Sequence, residues 1–259
     1  MSKRKLQPTV PPAVDLNSQL QSAIRHFWAT RNQQSVGQGA GRAKARDRGA
    51  RAAVTGGKQM DEFIALIRTL LLNAGVPSES IHTNSKLELP GWFRAEKKWD
   101  LIVVHRNQLL AAIEFKSQVG PSFGNNFNNR TEESLGSASD IWAAYREGAF
   151  KPSLRPWLGY FMLLEDCPAS RRPIGISEPN FPVFPEFNGA SYQSRYRILI
   201  QKLVRERLYD GACFLLADAS QVESGTFIEP DPELQFSGFV SAMTGQVQAA
   251  VSRCDATPA

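Results

Sequence analysis

Residues 99–118 read WDLIVVHRNQLLAAIEFKSQ, and the fold is decided there. Asp100–Val104 and Leu109–Phe115 are apolar, β-favouring runs, and the polar His105–Gln108 between them predicts a β-hairpin. Side chains alternate along a strand, which sends Ile113 and Phe115 one way and Glu114 and Lys116 the other. A three-residue turn of Arg106, Asn107 and Gln108, with Asn107 at positive φ, pairs 105 with 109 and 100 with 114. Asp100 and Glu114 then lie opposite each other on one face. A two-residue turn would put them on opposite faces.

A carboxylate and a lysine on an apolar strand are costly to bury, so they need a partner or a purpose. Two facing carboxylates repel each other, and a divalent cation with oxygen ligands relieves that. Mg²⁺ suits the pair, because it keeps several waters and takes one or two protein carboxylates. Lys116 beside it can hold or help deprotonate an attacking water and offset charge at a phosphorane-like transition state. Asp, then Glu-x-Lys on paired strands, is thus a device for metal-dependent phosphodiester hydrolysis. The same spacing also arises by chance, and a salt bridge at a strand edge is the other reading. Glu62, on the first turn of a helix from Asp61, is either a further acidic ligand or a solvated residue favoured by the helix dipole.

Outward from the hairpin, the chain of 259 residues is 42% hydrophobic and 21% charged, which excludes a disordered or collagen-like protein. The longest nearly continuous apolar stretch, Trp157–Leu164, is far short of the ~20 residues of a membrane helix. Met1–Ala13 has no apolar core behind its Lys3, Arg4 and Lys5, so no signal peptide is expected. A soluble, cytoplasmic protein follows. Three separated cysteines and three histidines exclude a disulfide framework and a zinc site, and leave Cys213 as a small buried hydrophobe.

Apolar periodicity predicts helices over 15–31 and 61–74, the second stopped by Gly75. Leu87–Phe93 reads as a short strand broken by Pro90-Gly91. Ser117–Arg130 reads as a loop, with Thr131 capping a helix that buries Leu135, Ala138, Ile141, Trp142 and Tyr145. Then come a strand at 157–164, a proline-punctuated loop, a helix at 192–208, a strand at 212–217 and a helix at 236–253. The class is α/β: a mixed central β-sheet flanked by α-helices. Four segments are expected: a tail and helix at 1–36, a basic flexible segment at 37–58, a core at 59–218, and a helical C-terminal segment at 219–259 packed on the core.

Charge sits unevenly. Residues 37–58 hold Arg42, Lys44, Arg46, Arg48, Arg51 and Lys58 against Asp47 alone, which equals the net charge of the whole chain, +5. This is either an electrostatic arm for phosphates or a solvated linker. Directly after the hairpin, GPSFGNNFNNR (120–130) offers Asn125, Asn126, Asn128, Asn129 and Arg130. These residue types pair bidentately with adenine and guanine edges, and also bond their own backbone in turns. Arg171 and Arg172 suit phosphate contact.

The segments AVTGGKQMDEF, LPGWFR, WDLIVV, EFKSQVGPSFGNNFNNRTEE, AYREGAF, SRRP and FPVFPEFNGASYQSRY resemble, in order, the XhoI family of type II restriction endonucleases. That family belongs to the PD-(D/E)xK nucleases. The resemblance implies a restriction-endonuclease-like core in which Asp100 and Glu114 bind Mg²⁺ and Lys116 serves the water. Trp99 stands where the superfamily's proline usually precedes the aspartate. The resemblance further implies double-stranded DNA as substrate and the palindrome CTCGAG as target. Each strand is cut after its first C, which leaves 5′-phosphate ends on 5′ overhangs. A two-fold homodimer and a companion methyltransferase in a restriction-modification system are implied as well. Two other readings share the same residues: a structure-specific repair nuclease or resolvase, and a catalytically silent DNA-binding module.

Overall fold

The computed structural model describes residues 15–39, 58–178 and 180–256. In chain order the elements are α1 (Leu16–Gly39), α2 (Asp61–Asn73), β1 (Ile81–His82), β2 (Glu88–Pro90), β3 (Glu96–Lys98), β4 (Leu101–His105) and β5 (Gln108–Gln118). They continue with α3 (Phe123–Arg146), β6 (Trp157–Glu165), α4 (Pro168–Arg171), α5 (Tyr192–Arg205), β7 (Gly211–Ala217), β8 (Phe227–Ile228) and α6 (Phe236–Ala256).

The hairpin forms, but not with the expected turn. His105 pairs with Gln108 and Val104 with Leu109, so the turn is the two residues Arg106 and Asn107. Both have positive φ, 47° and 59°, as a twist-matched two-residue hairpin turn requires. By itself that turn would place Asp100 and Glu114 on opposite faces. A β-bulge between Val103 and Val104 restores the match: Val103 pairs with Ala111 and Leu101 with Ile113, leaving Leu110 as the extra residue. One step further along that register, Asp100 lies opposite Glu114. A uniform one-residue slip would instead turn the buried Ile113 and Phe115 out of the core, at ~2 kcal/mol each.

Around this pair the sheet runs β1-β4-β5-β6-β7-β8. β5, β6 and β7 are parallel to one another, and the remaining neighbours are antiparallel. This is a mixed sheet with helices on both faces, as the sequence predicts. α1, α2 and α6 cover the face that carries Ile113, Phe115 and Phe161. α3 and α5 cover the face that carries Ala112, Tyr160 and Phe214. By alternation Glu114 and Lys116 lie on this second face. β2 and β3 form a separate two-stranded sheet, so the single broken strand expected at 87–93 is one arm of a second hairpin.

The expected loop at Ser117–Arg130 is a correction. β5 continues to Gln118, and α3 begins at Phe123, so the asparagines are helical. Asparagine-rich sequence disfavours helix locally, because its side chains compete for backbone groups. Here Phe123 and Phe127, one helical turn apart, dock on Tyr192 and Tyr196 of α5, with ring centroids 5.6 and 5.1 Å apart. That tertiary contact outweighs the propensity. Gly124 allows the approach, since a Cβ there would lie 2.7 Å from the Tyr192 hydroxyl. Thr131 is interior helix and donates its hydroxyl proton to the Phe127 carbonyl at 2.9 Å. Leu135 is 41% exposed instead of buried, while Ala138, Ile141 and Trp142 of the same helix are buried as expected. Cys213 is fully buried, as expected of a small hydrophobe.

Candidate active site

β4 and β5 bring the predicted catalytic side chains together. Glu114 is buried at the middle of β5. Lys116 reaches back along the same face to place Nζ 2.5 Å from Glu114 Oε1. Asp100, at the entry to β4, accepts the amide proton of Phe115 on Oδ2 at 2.7 Å, which fixes it against β5 beside Glu114. The other Glu114 oxygen, Oε2, lies 2.5 Å from Nζ of Lys97. The same Lys97 ammonium sits over the Trp99 ring, 4.5 Å from its centroid.

The electrostatics separate the two carboxylates. Burial raises the Asp100 pKa and the charge of Glu114 raises it further, against the opposing Phe115 amide and the two lysines. Burial would also raise Glu114, but the Lys116 and Lys97 ammonium groups outweigh it and hold Glu114 below its ordinary value. Lys116 is pulled down by burial and raised more strongly by Glu114, so it stays protonated. One firmly ionised carboxylate thus sits against a second that is less willing to ionise. Among the described residues no group of three or more His, Cys, Asp or Glu could hold a metal ion. The donor set is this pair of hard carboxylate oxygens, which fits a cation that keeps most of its waters.

The site opens into a cleft of about 500 Å³ lined by Phe93, Arg94, Lys97, Glu133 and Asp140 besides Glu114 and Lys116. A larger cavity of about 1060 Å³ lies at the turn end of the hairpin, against Arg106, Arg155 and Arg253. Among the described residues no Asp or Glu lines it, whereas Glu114 lines the smaller cleft.

The other predicted residues scatter. Glu62 is exposed on the first turn of α2. Its neighbour Phe63 packs into the core on the opposite face of the sheet from Glu114. Arg130 is ion-paired with Glu133 at 2.5 Å, and Glu133 lies 3.9 Å from Lys116, so Arg130 borders the cleft. Asn125, Asn128 and Asn129 are exposed on α3 and Asn126 is half-buried. Asn125 and Arg172 line one shallow depression of about 280 Å³, so two distant segments converge there. Arg171 is exposed, and its Nε donates to the buried Asp166 at 2.6 Å. Arg42, Lys44, Arg46 and Arg48 lie outside the described residues. Sequence reasoning missed Lys97, whose only signal is its place in EKKWD just before the first strand, and Asp140, which carries none.

Comparisons with known proteins converge on one family. A family model described as restriction endonuclease XhoI matches residues 39–229. The chain is similar to the type II restriction enzyme BstVI of Geobacillus stearothermophilus, 51% identical over 210 residues that cover 79% of this chain and 94% of that protein. It is 44% identical over 180 residues to the type II restriction enzyme XhoI of Xanthomonas vasicola, covering 69% of this chain and 73% of that one. A similar match is to the type II restriction enzyme AbrI of Azospirillum brasilense, 44% identical over 173 residues, covering 64% and 74%. No solved structure matches.

Proposed function

As the chain belongs to the XhoI family of type II restriction endonucleases, we propose that Asp100, Glu114 and Lys116 form its Mg²⁺-dependent catalytic centre. The observation that carries this is the convergence of the buried Glu114, the half-buried Asp100 fixed beside it and the paired Lys116, with Glu114 and Lys116 lining an open cleft. The substrate is duplex DNA. The proposed target is the palindrome CTCGAG, cut after the first C on each strand to leave 5′-phosphate ends on 5′ overhangs. The support for the target is family membership and the family-like run through residues 114–133. A symmetric palindrome calls for two copies of the chain, each reading one half-site. The companion is a methyltransferase that protects the cell's own sites, and the place of action is the bacterial cytoplasm.

Hydrolysis adds water to phosphorus, breaks the P–O3′ bond and returns a proton to the 3′ oxygen. Asp100 and Glu114 would hold Mg²⁺, which when bound polarises the phosphate and acidifies water. Lys116, kept protonated by Glu114, acts as a fixed cation: it orients the attacking water and offsets charge that develops on the phosphate oxygens. Phe93 and Lys97 line the cleft on one side of the reacting group.

A digest of a sequenced plasmid by the purified protein, with Mg²⁺ and with EDTA, tests this. Discrete Mg²⁺-dependent ends at CTCGAG are expected. Discrete ends elsewhere would discard the target and keep the nuclease. Tight binding without cleavage would overturn the catalytic assignment.

A further inference from the structure

Glu114 carries two ammonium groups where one would neutralise it, Lys116 on Oε1 and Lys97 on Oε2, each at 2.5 Å. Lys97 comes from outside the main sheet, on the short hairpin of β2 and β3, where Leu89 pairs with it. Its side chain is 13% exposed, and that exposed part opens into the cleft. Two carboxylates and two lysines balance in charge, so a bound divalent cation would leave the site with a net positive charge toward an incoming phosphodiester. With Glu114 turned to the cation, Lys97, borne on an element outside the main sheet, would be free to move onto the phosphate.

The hairpin that bears Lys97 is held unusually well for a surface element. Asp140, a buried carboxylate on α3, accepts the Trp92 and Phe93 amide protons on Oδ1 at 2.7 and 2.8 Å and the Arg94 guanidinium on Oδ2 at 2.6 Å. Gly91 closes against the same carboxylate: a Cβ there would lie 2.5 Å from Oδ2 and 2.7 Å from the Arg94 carbonyl. The tip so fixed presents Trp92 and Phe93 to solvent, 55% and 75% exposed, with Phe93 on the cleft rim beside Arg94 and Lys97. Large aromatics exposed on a rigid tip beside cations mark a contact surface, and the polyanion cut in this cleft is the ligand that matches them.

We propose that Lys97 is a further catalytic residue, its ammonium binding the scissile phosphate. The β2–β3 hairpin, latched to α3 by Asp140, is the arm that positions it. This rests on the reading of Asp100, Glu114 and Lys116 as the catalytic centre.

The test measures binding and single-turnover cleavage of a duplex carrying the mapped target. A second duplex has one neutral methylphosphonate at the scissile position. Binding is read by fluorescence anisotropy in Ca²⁺. Lys97→Gln should bind the natural duplex about 10- to 100-fold more weakly, the scale of one hydrogen bond between charged groups, and cleave it more slowly. On the methylphosphonate duplex, Lys97→Gln and the parent protein should bind alike. Lys97→Arg should recover most of the affinity for the natural duplex, which guards against a folding defect. Asp140→Asn, a positioning variant, should show the same selective loss at smaller size.

Equal loss on both duplexes, or unchanged cleavage by a folded Lys97→Gln, would overturn the proposal. If Glu114→Gln abolishes cleavage while Lys97→Gln does not, only the role of Lys97 fails. If both cleave normally, the catalytic centre itself has been misplaced.

Discussion

Leu110 and Ala111, consecutive in β5, both turn into the sheet face covered by α1, α2 and α6. Regular alternation forbids that, so these two residues mark the bulge. On the turn side Leu109 faces α3 and α5, as Ala112 does beyond it. The bulge thus converts the register set by a two-residue turn into the one that aligns Asp100 with Glu114. Ladder pairing with β6 begins only at Ala111, so the bulge disturbs β4 alone.

Deleting Leu110 should therefore leave cleavage intact. The same turn would then lead into a regular hairpin that aligns the same two carboxylates. The expected loss is in stability, ~2–3 kcal/mol for the buried leucine, read from urea unfolding. A folded but inactive deletion variant would show that the bulge shapes the site beyond setting register.

At the turn itself, Asn107 has φ +59°. Asparagine tolerates that region and alanine does not, so Asn107→Ala should lose about 1 kcal/mol, whereas Asn107→Gly should lose nothing. Equal midpoints for the two variants would contradict the turn assignment.

For the carboxylates, Asp100→Asn and Glu114→Gln should each reduce cleavage by ~10²–10³-fold or more while Ca²⁺-supported binding of the target duplex persists. Lys116→Gln should lose turnover and keep its metal affinity. Full activity in any of the three would remove that residue from the proposed centre.

Acid should loosen the proline-rich loop through Asp166. Hydrogen bonds from the Arg171 guanidinium and the Gln193 amide hold its carboxyl below the usual range, although burial opposes them. A depressed folded pKa stabilises above the ordinary carboxylate range and is lost as pH falls through the folded value. Arg171 is half exposed, so solvent screening keeps the effect small. Unfolding midpoints between pH 6 and pH 3 should fall less steeply for Asp166→Asn than for the parent protein. Parallel curves would show that Asp166 does not carry the acid response.

The basic segment makes a separate prediction from charge alone. Neutralising Arg42, Lys44, Arg46 and Arg48 together should flatten the dependence of binding on salt by up to about four units of slope, with the recognised sequence unchanged. A changed recognition sequence would show that these side chains read bases.

What the sequence determined by itself were properties set by near neighbours. Alternation along IEFKS places Glu114 and Lys116 on one face and Ile113 and Phe115 on the other, because the pleat has a period of two whatever the strand packs against. Helix stripes such as Phe63, Ile67 and Leu70 follow from 3.6-residue periodicity in the same way. The pairing of Asp100 with Glu114 was legible too, though by a different turn, since core burial on both strands selects the register and the backbone found a bulge to satisfy it. Only the tertiary structure decided the rest. Phe123 and Phe127 become helical because Tyr192 and Tyr196 receive them. Lys97 reaches Glu114 because Asp140 holds its hairpin in place. Those contacts join segments far apart in the chain, and no local period records which distant surface a side chain will meet.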